Sequence, residues 1–224
     1  MLFSIRQKSI NYLSKAIRGW TKGYGAGLFL ASCVGNPEGE KAAVRETQEV
    51  AAAEGETFQL TPQESVLQWI GRKVSATHHG KVSFKSGNLV FNNGVLAGGS
   101  FVVDMPSITN EDMEGEWKEK LMGHLNSPDF FNTTEHPEAK FEITEVKKTD
   151  NPNQLAVSGN LTIKGITKNI TFNADVKEVS DTKAVFSTDF NIAREDWDLT
   201  YPGKPDDLIA KEINFKIDLV ANKI

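Results

Sequence analysis

Hydrophobic and polar positions alternate with a period of two through most of the second half of the chain. Because successive side chains of a β-strand point to opposite faces, this alternation predicts strands with one buried and one solvated face. Such strands are typical of antiparallel sheets. The predicted inward rows are Leu155, Val157, Leu161 and Ile163; Ile170, Phe172, Ala174 and Val176; Ala184, Phe186, Thr188, Phe190 and Ile192; and Ile213, Phe215, Ile217 and Leu219.

Turn-forming residues divide the strands into hairpins. Asn93 and Gly94 separate two apolar runs, and Gly165 can supply the positive φ of a second tight turn. Gly98 and Gly99 interrupt the next strand and suit a bulge or a barrel corner. Earlier strands are predicted over 58–61, 66–74 and 81–85, which gives eight to ten strands in all.

One helix is predicted over Glu114 to Asn126, where Trp117, Leu121 and Leu125 fall on one face. The elements together predict an all-β protein with a minor helix, built as an antiparallel barrel of about eight strands with a short helical insertion. A closed sheet of this size is either filled by its own side chains or holds one small ligand. The alternation alone leaves both possibilities open.

The first 32 residues have the features of an export signal. They contain Arg and Lys but no Asp or Glu, and an apolar run over 28–31 precedes Cys33, the only cysteine in the sequence. The four residues 30–33, Leu-Ala-Ser-Cys, resemble a bacterial lipobox, in which the cysteine is acylated and begins the mature protein. We therefore expect a lipoprotein signal peptide over 1–32 and a lipid anchor on Cys33.

The segment 33–56 is rich in Ala, Glu and Gly and has no aromatic residue. It lacks the apolar surface that offsets the entropy of ordering, so it is predicted to be a flexible tether after the acylated cysteine. Residues 57–224 fit a single domain. Without 1–32 the chain has 20 Lys and Arg against 30 Asp and Glu, a formal charge of −10. Such a surface repels nucleic acid. It also gains nothing from anionic lipid headgroups, so membrane attachment must come from the acyl anchor.

Two motifs in register resemble the hallmarks of the YceI-like family. The first consists of His124, Leu125, Ser127, Asp129, Phe130, Phe131, Pro137 and Phe141. The second is the run 157–168, Val-Ser-Gly-Asn-Leu-Thr-Ile-Lys-Gly-Ile-Thr-Lys, with Ile166 where the family has Val. The resemblance implies a lipocalin-like antiparallel β-barrel, the YceI-like domain over 57–224, that holds a long apolar chain such as a polyisoprenoid.

This resemblance favours a ligand cavity over a filled core. The ligand is expected to be an isoprenoid or a fatty-chain lipid, with no other cofactor and no metal ion. Large inward side chains are expected to form the lipid-binding wall. They are Trp69, Phe101, Phe141, Leu161, Phe172, Phe186, Phe190 and Phe215.

No catalytic residue is predicted, because no metal-binding or nucleophile motif surrounds the four histidines, His78, His79, His124 and His136. His124 lies near Asp129 in the first motif, and we expect it to hydrogen-bond an acceptor at the helix end. The same pair could act as general acid and base, so an enzyme acting on an envelope lipid is the alternative hypothesis.

The loop 194–203 contains Arg194, Trp197 and Tyr201. Its aromatic residues, together with Trp69 and Trp117, either gate the mouth of the barrel or pack the helix against the barrel end. The sequence does not separate these two roles.

The sequence therefore predicts non-enzymatic binding or carriage of a long-chain lipid in the cell envelope, by a periplasm-facing or surface lipoprotein held to a membrane through acylated Cys33. A purely structural envelope module with a filled barrel is a further alternative. The oligomeric state, monomer or homodimer, is left open.

Overall fold

The structure is a computed structural model that describes residues 34–224. Among these residues, one α-helix, α1 (Gly115–Asn126), and two 3₁₀-helices, Met105–Ser107 and Arg194–Trp197, accompany the strands. The strands are β1 (Glu40–Lys41), β2 (Ala43–Arg45), β3 (Glu56–Leu60), β4 (Val66–Arg72), β5 (Thr77–Asn92), β6 (Val95–Asp104), β7 (Glu138–Lys148), β8 (Gln154–Ile163), β9 (Ile166–Val179), β10 (Lys183–Ala193), β11 (Gly203–Lys204), β12 (Asp207–Leu208) and β13 (Glu212–Lys223). Within 34–224, no helix combines the length and hydropathy needed to span a membrane.

Most strands belong to a closed antiparallel barrel with eight strand positions. β3 and β4 share one position, because each pairs with β5 on one side and with β13 on the other. The order continues through β6, β7, β8 and β9, and β10 joins β9 to β13. The predicted all-β barrel with a minor helix is confirmed.

Tight turns set the register of two hairpins. Asn93 and Gly94 have φ of 51° and 76°, and Lys164 and Gly165 have φ of 50° and 75°. Two consecutive positive φ values are the mark of the type I′ turn, whose twist matches that of the flanking strands. A register shift opposite Val90 and Phe91 places a bulge beside the predicted glycine pair.

The helix α1 lies between β6 and β7 and confirms the predicted insertion. Leu125 is buried and Leu121 packs against the core, but Trp117 is 68% exposed. The expectation that all three residues share a packed face is wrong for Trp117. Its ring instead lies beneath Lys120, whose Nζ is 4.8 Å from the ring centroid.

The segment before the barrel differs from the flexible tether that its composition predicts. Residues 40–45 form two short strands, β1 parallel to β10 and β2 antiparallel to β9. Backbone hydrogen bonds to the barrel, rather than apolar burial, order this segment, and composition does not reveal them. We call residues 37–48 the strap. The predicted signal peptide and Cys33 lie outside the described residues.

Candidate ligand cavity

The barrel encloses a cavity whose accessible wall is apolar. The part of the cavity that can hold the centre of a water-sized sphere has a volume of about 140 Å³. A single water molecule needs only about 10–15 Å³ of such volume. The barrel is therefore not completely filled by its own side chains.

All the side chains that the sequence places in the lipid-binding wall do line this cavity. They are Trp69, Phe101, Phe141, Leu161, Phe172, Phe186, Phe190 and Phe215. Six of them form two cross-strand rows. One row is Phe101, Phe141 and Leu161 on β6, β7 and β8; the other is Phe190, Phe215 and Trp69 on β10, β13 and β4.

Aromatic rings form a continuous stretch of this wall. Phe172 stacks on Phe190 at 4.4 Å between centroids, while Phe141 lies 5.6 Å from Phe172, and Phe215 lies 6.0 Å from Phe190. Along β13, the lining residues Phe215 and Ile217 alternate with exposed side chains. Rings that contact one another present a smooth apolar surface, which suits a hydrocarbon chain better than a charged or hydrogen-bonding ligand.

Several other residues line the cavity that the sequence did not place in the lipid-binding wall. Val82, Phe84, Leu89, Leu96 and Val103 lie on β5 and β6, and Met105, Ile108 and Phe131 lie in the connection to β7. Val82 and Phe84 alternate with polar neighbours, so the period-two signal could have found them. The three residues of the connection lie outside any strand and carry no such signal.

Phe131 and Phe141 of the first motif line the cavity, whereas the neighbouring Phe130 does not. Phe130 packs edge-on against Phe131 at 4.9 Å. The turn is held by backbone hydrogen bonds, from the Phe130 amide to Ser127 O at 3.0 Å and from the Phe131 amide to Leu125 O at 3.1 Å. These contacts fix the turn so that Phe131 faces the cavity.

Trp197 of the loop 194–203 packs into the core and does not gate a mouth of the barrel. The Trp197 ring is fully buried and its Nε1 donates to Leu161 O at 3.1 Å. Arg194 is also buried, and its guanidinium donates to Ala210 O at 2.8 Å and to Leu199 O. Tyr201 is partly exposed and contacts the ring of His124, 4.5 Å away between centroids.

His124 lies between Tyr201 and Phe130 and is not part of the cavity wall. Its Nε2 is buried and has no hydrogen-bond partner in the described part of the chain, so the expected bond to an acceptor at the helix end is not found for this atom. Burial lowers the pKa of His124, and the Asp129 carboxylate opposes this only in part. Asp129 is exposed at the surface. The two side chains do not converge on the cavity.

A second histidine pair lies at the surface near the start of β5. His78 Nδ1 is 2.8 Å from Asp112 Oδ2, and the His79 amide donates to Asp112 Oδ1 at 2.8 Å. Burial works to raise the pKa of Asp112, but these bonds and one from Asn110 outweigh it and hold the pKa below its usual value. Residues 34–224 contain no group of three or more metal-ligating side chains. The cluster is accounted for by these hydrogen bonds.

Sequence comparison identifies relatives of the barrel. The family model for the YceI-like domain matches residues 58–221. A UPF0312 protein of Photorhabdus laumondii is 38% identical over 97 residues, which cover 43% of each chain. Protein YceI of Shigella flexneri is 47% identical over 51 residues, 23% of this chain and 26% of the relative. The matched stretches span less than half the length of these relatives.

Two solved structures share the fold. BcnA of Burkholderia cenocepacia has a TM-score of 0.62 at 20% identity, covering 72% of this chain and 99% of BcnA. A polyisoprenoid-binding domain from Saccharophagus degradans, implicated in plant cell wall breakdown, has a TM-score of 0.55 at 14% identity, covering 75% and 98%. Because the family model spans most of the described barrel and more than half of the sequence, this chain belongs to the YceI-like domain family.

Proposed function

We propose that this protein binds and carries a polyisoprenoid or another long-chain amphiphile inside its barrel, without chemistry of its own. The apolar, unfilled cavity is the observation that carries the proposal. Water in such a space finds no hydrogen-bonding partner, so a hydrocarbon chain is its favoured occupant.

The magnitudes are sufficient for useful affinity. Burying about ten methylene groups at about 0.8 kcal/mol each contributes about 8 kcal/mol. This free energy corresponds to a dissociation constant of about 1 μM before the costs of ordering the chain are subtracted. A polar group at the end of the ligand would stay at the barrel surface in contact with water.

The proposal includes attachment to the cell envelope through an acyl chain on Cys33, supported by the lipobox-like sequence and the basic segment before it. A charge of −10 for the remainder of the chain gives no electrostatic attraction to anionic headgroups. The Saccharophagus domain, which shares the fold, binds polyisoprenoid, and this supports the same ligand class here.

Two rival functions receive less support. An enzyme that uses His124 and Asp129 needs both groups at the bound lipid, whereas His124 lies outside the cavity wall and Asp129 is exposed. A purely structural module needs a filled interior, which does not fit a cavity of this size.

Native mass spectrometry of the full-length protein, purified from membranes in mild detergent, tests the proposal. We expect a mass increment of one long-chain lipid per chain, and extraction followed by fragmentation should identify its class. A protein that is free of lipid after this purification, and that takes up no lipid from vesicles, would contradict it.

A further inference from the structure

The barrel wall is incomplete between β9 and β10. The two strands pair directly only where Ala184–Ser187 faces Asp175–Val179, and the register is already shifted after Val185. Beyond this point the ladder between the two strands ends, and the Thr188 hydroxyl donates to Asn173 O at 2.7 Å. We call this gap, between residues 166–174 and 188–193, the seam.

The strap fills the seam. Its residues Glu40–Lys41 pair with Phe190–Asn191 on β10, and Ala43–Arg45 pairs with Asn169–Thr171 on β9. Between them, Ala42 is 3% exposed and its amide donates to Asn191 O at 2.9 Å. The strap therefore takes the place of the missing hydrogen bonds between β9 and β10.

The ligand cavity lies directly behind the strap. Ile170 is the register partner of Val44 in the strap, and its side chain lines the cavity. Phe172, Thr188 and Phe190 also lie on the two edges of the seam and line the cavity. A single layer of side chains therefore lies between the strap and the proposed hydrocarbon site.

Polar contacts hold the strap more than apolar burial does. Pro37 and Ala42 are its buried apolar side chains among the described residues, and Val44 is partly buried. Exposed contacts supply much of the rest, such as the ion pair from Lys168 Nζ to Glu46 Oε1 at 3.1 Å. Exposed ion pairs contribute little to stability, and a segment with few buried apolar contacts is among the first to open.

The barrel surface beneath the strap is also polar. Asn160 exchanges hydrogen bonds with the backbone of Gln48, at 3.0 Å and 2.7 Å, and Asn191 Nδ2 donates to Pro37 O at 2.9 Å. Asn160, Asn169 and Asn191 are all buried. When the strap detaches, water can replace these hydrogen bonds, so detachment need not leave these polar groups unpaired.

The two ends of the barrel are harder to open. At the end that carries α1, Trp197 and Leu199 are fully buried. At the opposite end, Phe58 and Phe91 are 2% exposed and their ring centroids are 4.9 Å apart. Opening either end exposes large apolar side chains, which costs more than exposing the small side chains of Pro37 and Ala42 when the strap detaches.

We propose that the seam is the lateral port through which the long-chain ligand enters and leaves the barrel, and that the strap covers this port and detaches from β9 to open it. The inference rests on the proposed lipid-binding function. The strap lies before the residues 58–221 that the family model matches, so the cover is outside the part of the chain that defines the domain.

A reversible cross-link tests this port. Ala43 and Thr171 are register partners across an antiparallel pair, where Cα atoms are roughly 4.5–5.5 Å apart and a disulfide can form. The full chain with Cys33→Ser, Ala43→Cys and Thr171→Cys would be oxidised with diamide or reduced with dithiothreitol. The probe is cis-parinaric acid, a fluorescent long-chain fatty acid, and its uptake is followed by stopped-flow fluorescence.

We expect the oxidised protein to take up the probe at least about tenfold more slowly than the reduced protein, because local opening of the strap is blocked. A matched control is Lys147→Cys with Ala156→Cys, which are register partners on β7 and β8, so that their disulfide links neither the strap nor the two edges of the seam. Its uptake rate should be the same in both redox states. Equal rates for the two states of the strap variant overturn the port.

A second variant loosens the strap and does not depend on a disulfide. A Cβ added to Gly39 would approach Asn191 Oδ1 and Asn214 Nδ2 to 2.4 Å each, so Gly39→Val should displace the strap and speed uptake several-fold. Gly123→Ala, where a Cβ meets no atom within 4 Å, is the control. Unchanged uptake by Gly39→Val also overturns the port. If the parent protein binds neither the probe nor any vesicle lipid, the proposed function fails, and the port falls with it.

Discussion

The rings of Phe172 and Phe190 stack with centroids 4.4 Å apart and planes 10° apart, although the two residues are not partners in the sheet. Phe172 is paired with Val157 on β8, and Phe190 with Phe215 on β13. Side-chain contact therefore joins the two edges of the seam where their backbones are not hydrogen-bonded to each other. These rings form both the cavity wall and the inner lining of the seam.

Replacing a wall residue with a carboxylate should abolish lipid carriage. Phe215→Asp and Phe172→Asp each place a charged group in an apolar space that offers it no partner. We expect the lipid that co-purifies with the protein to fall below detection by native mass spectrometry. Because removing a buried Phe can itself cost about 3–5 kcal/mol, circular dichroism must show that the variant is folded.

Lys216→Asp is the matched control, because residue 216 is adjacent to Phe215 but exposed on the outer face. It loses the surface ion pair with Asp189, at 3.3 Å, which contributes little. Its lipid content should equal that of the parent. A folded Phe215→Asp protein with unchanged lipid content would remove this position from the site.

Two aromatic residues near α1 should differ sharply in their effect on stability. Phe130 is buried against Phe131 and His124, so Phe130→Ala should lower the free energy of unfolding by about 3–5 kcal/mol. Trp117 is exposed and contacts Lys120, so Trp117→Ala should cost less than about 1 kcal/mol. Denaturant titration measures both, and similar losses for the two variants would contradict this assignment.

His124 should make the protein less stable in mild acid. Burial holds its pKa below the ordinary value, so the unfolded chain binds more protons than the folded one as the pH falls below about 6.5. Above that pH the ring is neutral in both states, and the free energy of unfolding has its full value. As the pH falls toward the folded-state pKa, the free energy of unfolding decreases. His124→Phe keeps a ring against Tyr201 and removes both the titration and the unpaired Nε2.

Urea titrations at about pH 7.5 and about pH 5.5 compare these two proteins. The parent should lose more stability between the two pH values than His124→Phe does. At the higher pH, His124→Phe should be at least as stable as the parent, because no buried nitrogen is left unpaired. An identical acid response in both proteins would show that His124 is not the group responsible.

Cys33→Ala should move the mature protein from the membrane fraction to the soluble fraction without unfolding the barrel. The reason is that an acylated cysteine supplies the chains needed for stable attachment, while the charge of the rest of the chain provides none. Fractionation followed by immunoblotting measures the distribution. A variant that still sediments with membranes after a high-salt wash would disprove the anchor.

The sequence was sufficient for the strands and turns because their signals are local. Alternation marks the strands, as in Phe172 and Ala174 with their polar neighbours, and Asn93–Gly94 and Lys164–Gly165 form the predicted turns. The strap could not be predicted in this way. Its strands have two and three residues, too few for a period to show, and its order depends on hydrogen bonds to distant residues such as Asn191.

The cavity also depends on information that no local pattern carries. An inward Phe looks the same in the sequence whether it fills a core or lines a space, so residues such as Phe186 fitted either outcome. For Trp117, the local pattern gave the wrong environment. Helical spacing put it on a face with Leu125, but no element within residues 34–224 covers that part of α1, and the ring is 68% exposed.

Photo-cross-linking with a long-chain fatty acid that carries a diazirine within its chain tests the central claim most directly. The bound protein would be irradiated, digested and mapped by mass spectrometry. Lipid bound inside the barrel predicts adducts on the peptides that contain Phe172, Phe190 and Phe215, with their yield reduced by excess unlabelled fatty acid. Adducts confined to exposed positions such as Trp117, or labelling that excess unlabelled fatty acid does not reduce, would contradict it.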